Sequence, residues 1–82
     1  MFSPHLEAFA NTFLPANGRF DWHKHDDVDE IMICLSGKGT IEFESGEKFQ
    51  FSPRDLVYIP KGSRHTVLSS STPTEYFFIR IE

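Results

Sequence analysis

The stretch His23-Lys24-His25-Asp26-Asp27-Val28-Asp29-Glu30-Ile31-Met32-Ile33-Cys34-Leu35 sets a possible chemical site directly against a strand. Its second half, Ile31 to Leu35, is wholly apolar and short, the signature of a strand with both faces covered rather than of a helix. Its first half places two histidines one residue apart, then a turn rich in acids, then Glu30 at the head of the apolar run. Alternate side chains of a strand share a face, so His23 and His25 point the same way with their Cα atoms about 6.5–7 Å apart. Rings so placed can share one ion at about 2.0–2.1 Å. A charged residue heading a buried strand is costly unless it is paired or coordinated, and metal ligation is one way to resolve the cost of Glu30.

Working outward from this stretch, turn residues punctuate the chain densely: Pro15 to Gly18, Ser36 to Gly39, Glu44 to Glu47, Ser52 to Asp55, Pro60 to Ser63 and Ser69 to Pro73. The intervals are strand-sized: Phe9 to Leu14, Arg19 to His25, Glu30 to Leu35, Thr40 to Glu44, Lys48 to Phe51, Leu56 to Ile59, His65 to Leu68 and Glu75 to Ile81. About eight short strands between turns predict an all-β sandwich or barrel. Leu6 to Phe13 has room for one helical turn before the first strand. Alternation puts Ile41/Phe43, Phe49/Phe51 and Phe77/Ile79/Ile81 on a core face, with Glu42, Glu44, Gln50 and Arg80 on the other. The outer side of Ile31 to Leu35 needs cover from the partner sheet or another subunit, which predicts a homodimer.

The composition narrows the classes. A chain of 82 residues is expected to form one domain over residues 1–82, and one this short hides only about 60% of its surface, so a metal or a second copy is needed to add stability. The single cysteine, Cys34, excludes an internal disulfide and predicts a cytoplasmic setting. No basic, apolar N-terminal stretch suggests a secretory signal, and no run reaches the roughly 20 apolar residues of a membrane span. With a net charge of −4 and eight scattered basic residues, neither nucleic acid nor membrane is an expected partner. A small-molecule ligand is.

A third histidine, His65, follows Pro60-Lys61-Gly62-Ser63-Arg64, where proline and glycine make a sharp reversal. A lone His-x-His is a weak signal. Its coincidence with a carboxylate heading a buried strand and a third histidine after a Pro-x-Gly turn points to a metal. Asp26, Asp27 and Asp29 form a hydrated turn, and one of them is an alternative to Glu30 as the carboxylate ligand.

The chain resembles the small cupins of the conserved-barrel type. Their first motif is a glycine, five residues, His-x-His, three or four residues, a glutamate, six residues and a glycine; here Gly18, His23, His25, Glu30 and Gly37 match, with the first gap one residue short. Their second motif is matched by Pro60, Gly62 and His65, with Arg54 in the position of a glycine and Ser69 in that of an asparagine. The resemblance covers most of residues 9–82. It implies a double-stranded antiparallel jelly-roll barrel, frequent dimers, and His23, His25, Glu30 and His65 as ligands of one divalent metal ion. Manganese, iron, nickel, cobalt and zinc all accept such ligands.

An ion so held keeps positions open for a substrate, which predicts an enzyme acting on a small polar metabolite such as a sugar, sugar acid or keto acid. Isomerase, lyase and dioxygenase chemistry all suit it. The alternatives are a non-catalytic ligand-binding or sensor module, and a barrel whose metal only staples the fold. No catalytic residue is named by the sequence. If the second strand is regular, Arg19 and Asp21 share the inward face with the histidines, Phe20, Trp22 and Lys24 face away, and Arg19 is a candidate carboxylate clamp. Met32 and Cys34 follow Glu30 inward, Cys34 as an inert buried thiol. Tyr58 and Tyr76 are read as packing residues with an acid role open, and His5 as a terminal residue.

Overall fold

In the computed structural model, which describes residues 6–81, the expected strands form with small changes at their ends. They are β1 (Leu6–Leu14), β2 (Arg19–His23), β3 (Asp29–Ser36), β4 (Gly39–Phe43), β5 (Lys48–Phe51), β6 (Leu56–Ile59), β7 (His65–Ser69) and β8 (Thr74–Ile81). No helix occurs among the described residues. The helical turn for which Leu6 to Phe13 left room is replaced by strand, because β1 pairs with β8 from Leu6↔Ile81 to Leu14↔Thr74 as the edge of its sheet. His5 lies outside the described residues.

The strands form two four-stranded antiparallel sheets, ordered β1-β8-β3-β6 and β2-β7-β4-β5, the expected jelly-roll arrangement. Between them Leu14, Met32, Cys34, Ile41, Phe51, Ile59, Val67, Tyr76 and Phe78 make one apolar core. Met32, Ile41 and Val67 are wholly buried, each worth roughly 1.5–3 kcal/mol relative to exposure.

Two expectations about facing are corrected. On β8 the inward residues are Thr74, Tyr76 and Phe78, followed in the same parity by Arg80, while Phe77, Ile79 and Ile81 lie half-buried on the outer face. The three apolar residues read as core are therefore the outside of the sheet, where they continue the half-buried Ile31 and Ile33 of β3. Strand β2 is not regular either: Phe20↔Val67 is followed by His23↔His65, three residues of β2 against two of β7. The extra residue is a bulge, and it flips the parity. Phe20 turns inward, its ring 4.7 Å from that of His23 and 6.5 Å from that of Phe78. Thr66 donates to the Phe20 carbonyl at 2.6 Å and so holds the bulge.

The β3–β4 and β5–β6 turns use the left-handed region of backbone space. Gly37, with φ of 80°, lies so close to the Pro73 carbonyl that any β-carbon would collide with it. Arg54, which stands at the glycine position of the motif that the chain resembles, takes φ of 79°, and its N–H donates to the Cys34 carbonyl at 2.8 Å. A side chain in that conformation costs roughly 1–2 kcal/mol, partly offset in a glycine variant by a more flexible unfolded chain. Arg54→Gly is therefore expected to raise the thermal midpoint by about 2–6 °C; a calorimetric midpoint that falls would show that the arginine side chain itself supports the turn.

Candidate metal centre

The site is assembled from three pieces of chain, each held by its own local device. His23 ends β2, and its Nδ1 lies 2.8 Å from the carbonyl of Asp21. His65 opens β7, and its Nδ1 lies 2.8 Å from the carbonyl of Ser63. A carbonyl only accepts, so in both rings Nδ1 carries the proton and Nε2 presents a lone pair. The same arrangement, a ring fixed by the carbonyl two residues earlier, occurs on both sides of the site.

His25 lies beyond the end of β2, not within it as expected, in the loop that crosses to β3. Two bonds secure this loop from the β6–β7 turn: Gly62 N–H donates to the His25 carbonyl at 2.7 Å, and Lys61 N–H donates to Asp29 Oδ1 at 2.8 Å. Val28, the one apolar residue among the acids, is buried and seats the loop. Glu30 then opens the inward face of β3 with 1% of its surface exposed.

These pieces bring His23, His25 and Glu30 into one group of possible ligands and set His65, outside that group, next to Glu30 and His23. Ligand atoms of His23, His25 and Glu30 lie within 4.8 Å of one another. His65 Nε2 is 3.6 Å from Glu30 Oε1, and the His23 and His65 rings are 4.3 Å apart. His25 Nε2 is 3.7 Å from Glu30 Oε2. Separations of 3.6 and 3.7 Å are too long for hydrogen bonds, and His25 Nε2, His65 Nε2 and Glu30 Oε1 are buried without a hydrogen-bond partner among the described residues. Two donors each about 2.1 Å from one ion, at angles of about 90–120°, stand roughly 3.0–3.6 Å apart. The donor set and its spacing fit a divalent ion.

Electrostatics favour a neutral His65. Burial pushes the His65 pKa below its ordinary value; the Ser63 carbonyl and Glu30 oppose that shift, and His23 and His25 add to it. Around the four groups, Phe20, Phe43, Phe78 and Met32 supply apolar walls, the Phe43 ring standing 6.0 Å from that of His65. Tyr76 is fully buried, with a hydroxyl that has no hydrogen-bond partner among the described residues. Burial, and secondarily the charge of Glu30, push its phenol far above the ordinary range, so it stays protonated as a donor. A cleft of about 680 Å³ opens beside the site, on the far side of Phe43, lined by Lys24, Phe49, Tyr58 and Arg64 rather than by the four converging groups.

The remaining candidates sort clearly. Arg19 is not inward: its Nη1 donates to Thr66 Oγ1 at 3.4 Å on the outer side of β7. Asp21 is exposed and bonds its neighbour Trp22 through the backbone N–H at 3.0 Å. Asp26 pairs with Lys24 at 3.2 Å in solvent, and Asp27 is exposed. Asp29 lies on the opposite face of β3 from Glu30; it accepts the Tyr58 hydroxyl at 2.6 Å, which with the Lys61 N–H lowers its pKa and raises that of Tyr58. None of these three aspartates joins the group that His23, His25 and Glu30 form. Burial, followed by the charge of Asp55, raises the Cys34 pKa, and its Sγ faces the Ser36 carbonyl at 3.6 Å. The residue that the sequence reading missed is Arg80. Inward on β8 and paired in register with Glu30, it donates from Nε to Glu30 Oε2 at 3.2 Å.

A family model for the cupin domain matches residues 12–80. The chain belongs to the cupin domain family. Among relatives of this cupin, the uncharacterised protein YdbB of Bacillus subtilis (strain 168) is 40% identical over 52 residues, 63% of this chain and 46% of the relative. The chain spans about half the length of the curated relatives it matches. A cupin protein from Bacteroides fragilis superimposes with a TM-score of 0.83 at 28% identity, over 90% of this chain and 64% of that one. A Thermotoga maritima protein described as a predicted oxalate decarboxylase superimposes with a TM-score of 0.85 at 24% identity, over 94% and 67%, a likeness of fold alone.

Proposed function

We propose that this cupin holds one divalent metal ion through His23, His25, Glu30 and His65 and acts on a small polar metabolite bound at that ion. The observation that carries the reading is the convergence of His25 Nε2, His65 Nε2 and Glu30 Oε1, three buried atoms without hydrogen-bond partners among the described residues. Left alone, such a carboxylate would cost several kcal/mol. Arg80 occupies Glu30 Oε2, so Oε1 is the oxygen free to ligate. The donors suit manganese, iron, nickel, cobalt or zinc.

When bound, such an ion would supply Lewis-acid polarisation of a carbonyl or hydroxyl, or a water activated at neutral pH. The chain contributes the rest. Asp21 and Ser63 carbonyls orient the His23 and His65 rings, the buried Phe78 and Met32 exclude water, and Tyr76 keeps a phenolic proton in the barrel interior. This set supports isomerase, lyase or dioxygenase chemistry on a sugar, sugar acid or keto acid. Among the described residues no helix is long and apolar enough to cross a membrane; a cytoplasmic setting is part of the proposal, supported by the single, buried thiol of Cys34.

The working form is proposed to be a homodimer. Support comes from the outer face of β1-β8-β3-β6, where Phe13 and Leu56 are 65% and 61% exposed beside the half-buried Ile31, Ile33, Ile79 and Ile81. Sedimentation equilibrium at micromolar protein is expected to give a dimer that Leu56→Lys weakens; a monomer throughout would contradict it. For the metal, elemental analysis of protein purified without added metal is expected to find about one equivalent per chain. Glu30→Gln should lower affinity by about a hundredfold or more, since even outer-layer partners of ligands are worth 10–100-fold. Asp26→Asn should leave it unchanged, and the reverse order would assign the carboxylate ligand to the loop.

A further inference from the structure

We propose that Arg80 is the specificity-determining residue of this site, selecting ligands that carry a carboxylate beside a metal-chelating oxygen, such as hydroxy acids and keto acids. The inference rests on the metal-site reading above and narrows its substrate class by excluding neutral sugars.

Arg80 stands directly across the β3–β8 ladder from Glu30 and shares its inward face. Only Nε is used by Glu30, and among the described residues Glu30 is its one partner. A guanidinium carries five N–H donors in a planar fork, so the Nη side of Arg80 keeps a two-point surface matched to a carboxylate. The Glu30 side chain is 1% exposed and that of Arg80 32%, so the arginine is the member of the pair that reaches solvent.

The charge balance of the site also calls for an anion. The Arg80 charge cancels that of Glu30, and histidines bind a metal as neutral rings. The two charges of a divalent ion are then uncompensated in a partly buried setting, where a neutral ligand leaves them so and a carboxylate offsets them. Arg19, Arg64 and Lys24 are engaged elsewhere. Arg19 lies on the outer side of β7 against Thr66, Lys24 pairs with Asp26 at 3.2 Å, and Arg64 pairs with Glu44 at 3.5 Å.

The test uses the chain loaded with Mn²⁺, its metal content measured first, and a matched pair of probes: glycolate and its neutral amide, glycolamide. Calorimetric titration of the wild type is expected to favour glycolate. In Arg80→Gln the glycolate affinity should fall about tenfold or more with glycolamide unchanged, as for loss of a charge-assisted hydrogen-bond pair. If Arg80→Gln gives up its metal, Arg80→Lys keeps a charge for Glu30 without the fork, and glycolate binding should again fall several-fold. An unchanged glycolate-to-glycolamide ratio in a metal-loaded variant, or loss of metal from both variants, would overturn the proposal. A wild type that takes up Mn²⁺ but binds both probes equally would overturn this proposal alone. One that takes up no metal would overturn the underlying reading with it.

Discussion

A carboxylate with 1% of its surface exposed, Glu30, is the constraint around which the remainder of this small barrel is arranged. An ionised carboxylate taken out of water needs opposite charge and donors close by, or it raises the free energy of the fold by several kcal/mol. Arg80 meets one oxygen directly. The other faces His65 Nε2 across 3.6 Å, a gap too long for a hydrogen bond and close to the spacing of two donors on one ion. Stability and chemistry therefore depend on the same atoms. On the proposed reading, a chain with a thin core would gain from an ion tying β2, β3 and β7 together, and apolar walls would keep water off its donors.

The donors reach this point because the two motif segments are tied to each other before any metal is considered. Gly62 and Lys61 donate from the β6–β7 turn to His25 and Asp29, so the loop carrying one histidine and the turn preceding another move as a unit. The bulge in β2 then aims His23 at the same point, with Thr66 holding the displaced carbonyl of Phe20. Pre-positioning of this kind lowers the ordering cost of metal uptake.

Much of this was legible in the residues. Turn punctuation located eight strands to within a few residues, since Pro, Gly and Ser clusters mark reversals whatever the tertiary context. The proximity of His23, His25, Glu30 and His65 was legible from the two motif segments, although His25 sits beyond the strand expected to carry it. Parity was the weak point. Phe77, Ile79 and Ile81 outnumber Tyr76 and Phe78 in hydrophobicity, yet the outer face of this sheet is itself apolar, so alternation pointed the wrong way and hid Arg80. The β2 bulge had no local sequence signal either, as it arises from pairing with β7, and it moved Arg19 out and Phe20 in. Arg54 differs again: an arginine at the glycine position of the motif still adopts the left-handed turn, with its N–H paired to the Cys34 carbonyl.

The claim that His23, His25, Glu30 and His65 hold one ion is tested most directly by imidazole nitrogen NMR during titration with Mn²⁺, whose paramagnetism broadens signals only near the bound ion. The account predicts that the His23, His25 and His65 ring nitrogens are lost together, with the effect complete at one equivalent per chain. Retention of the His65 signal while the backbone amides of Asp26 and Asp27 broaden would contradict it.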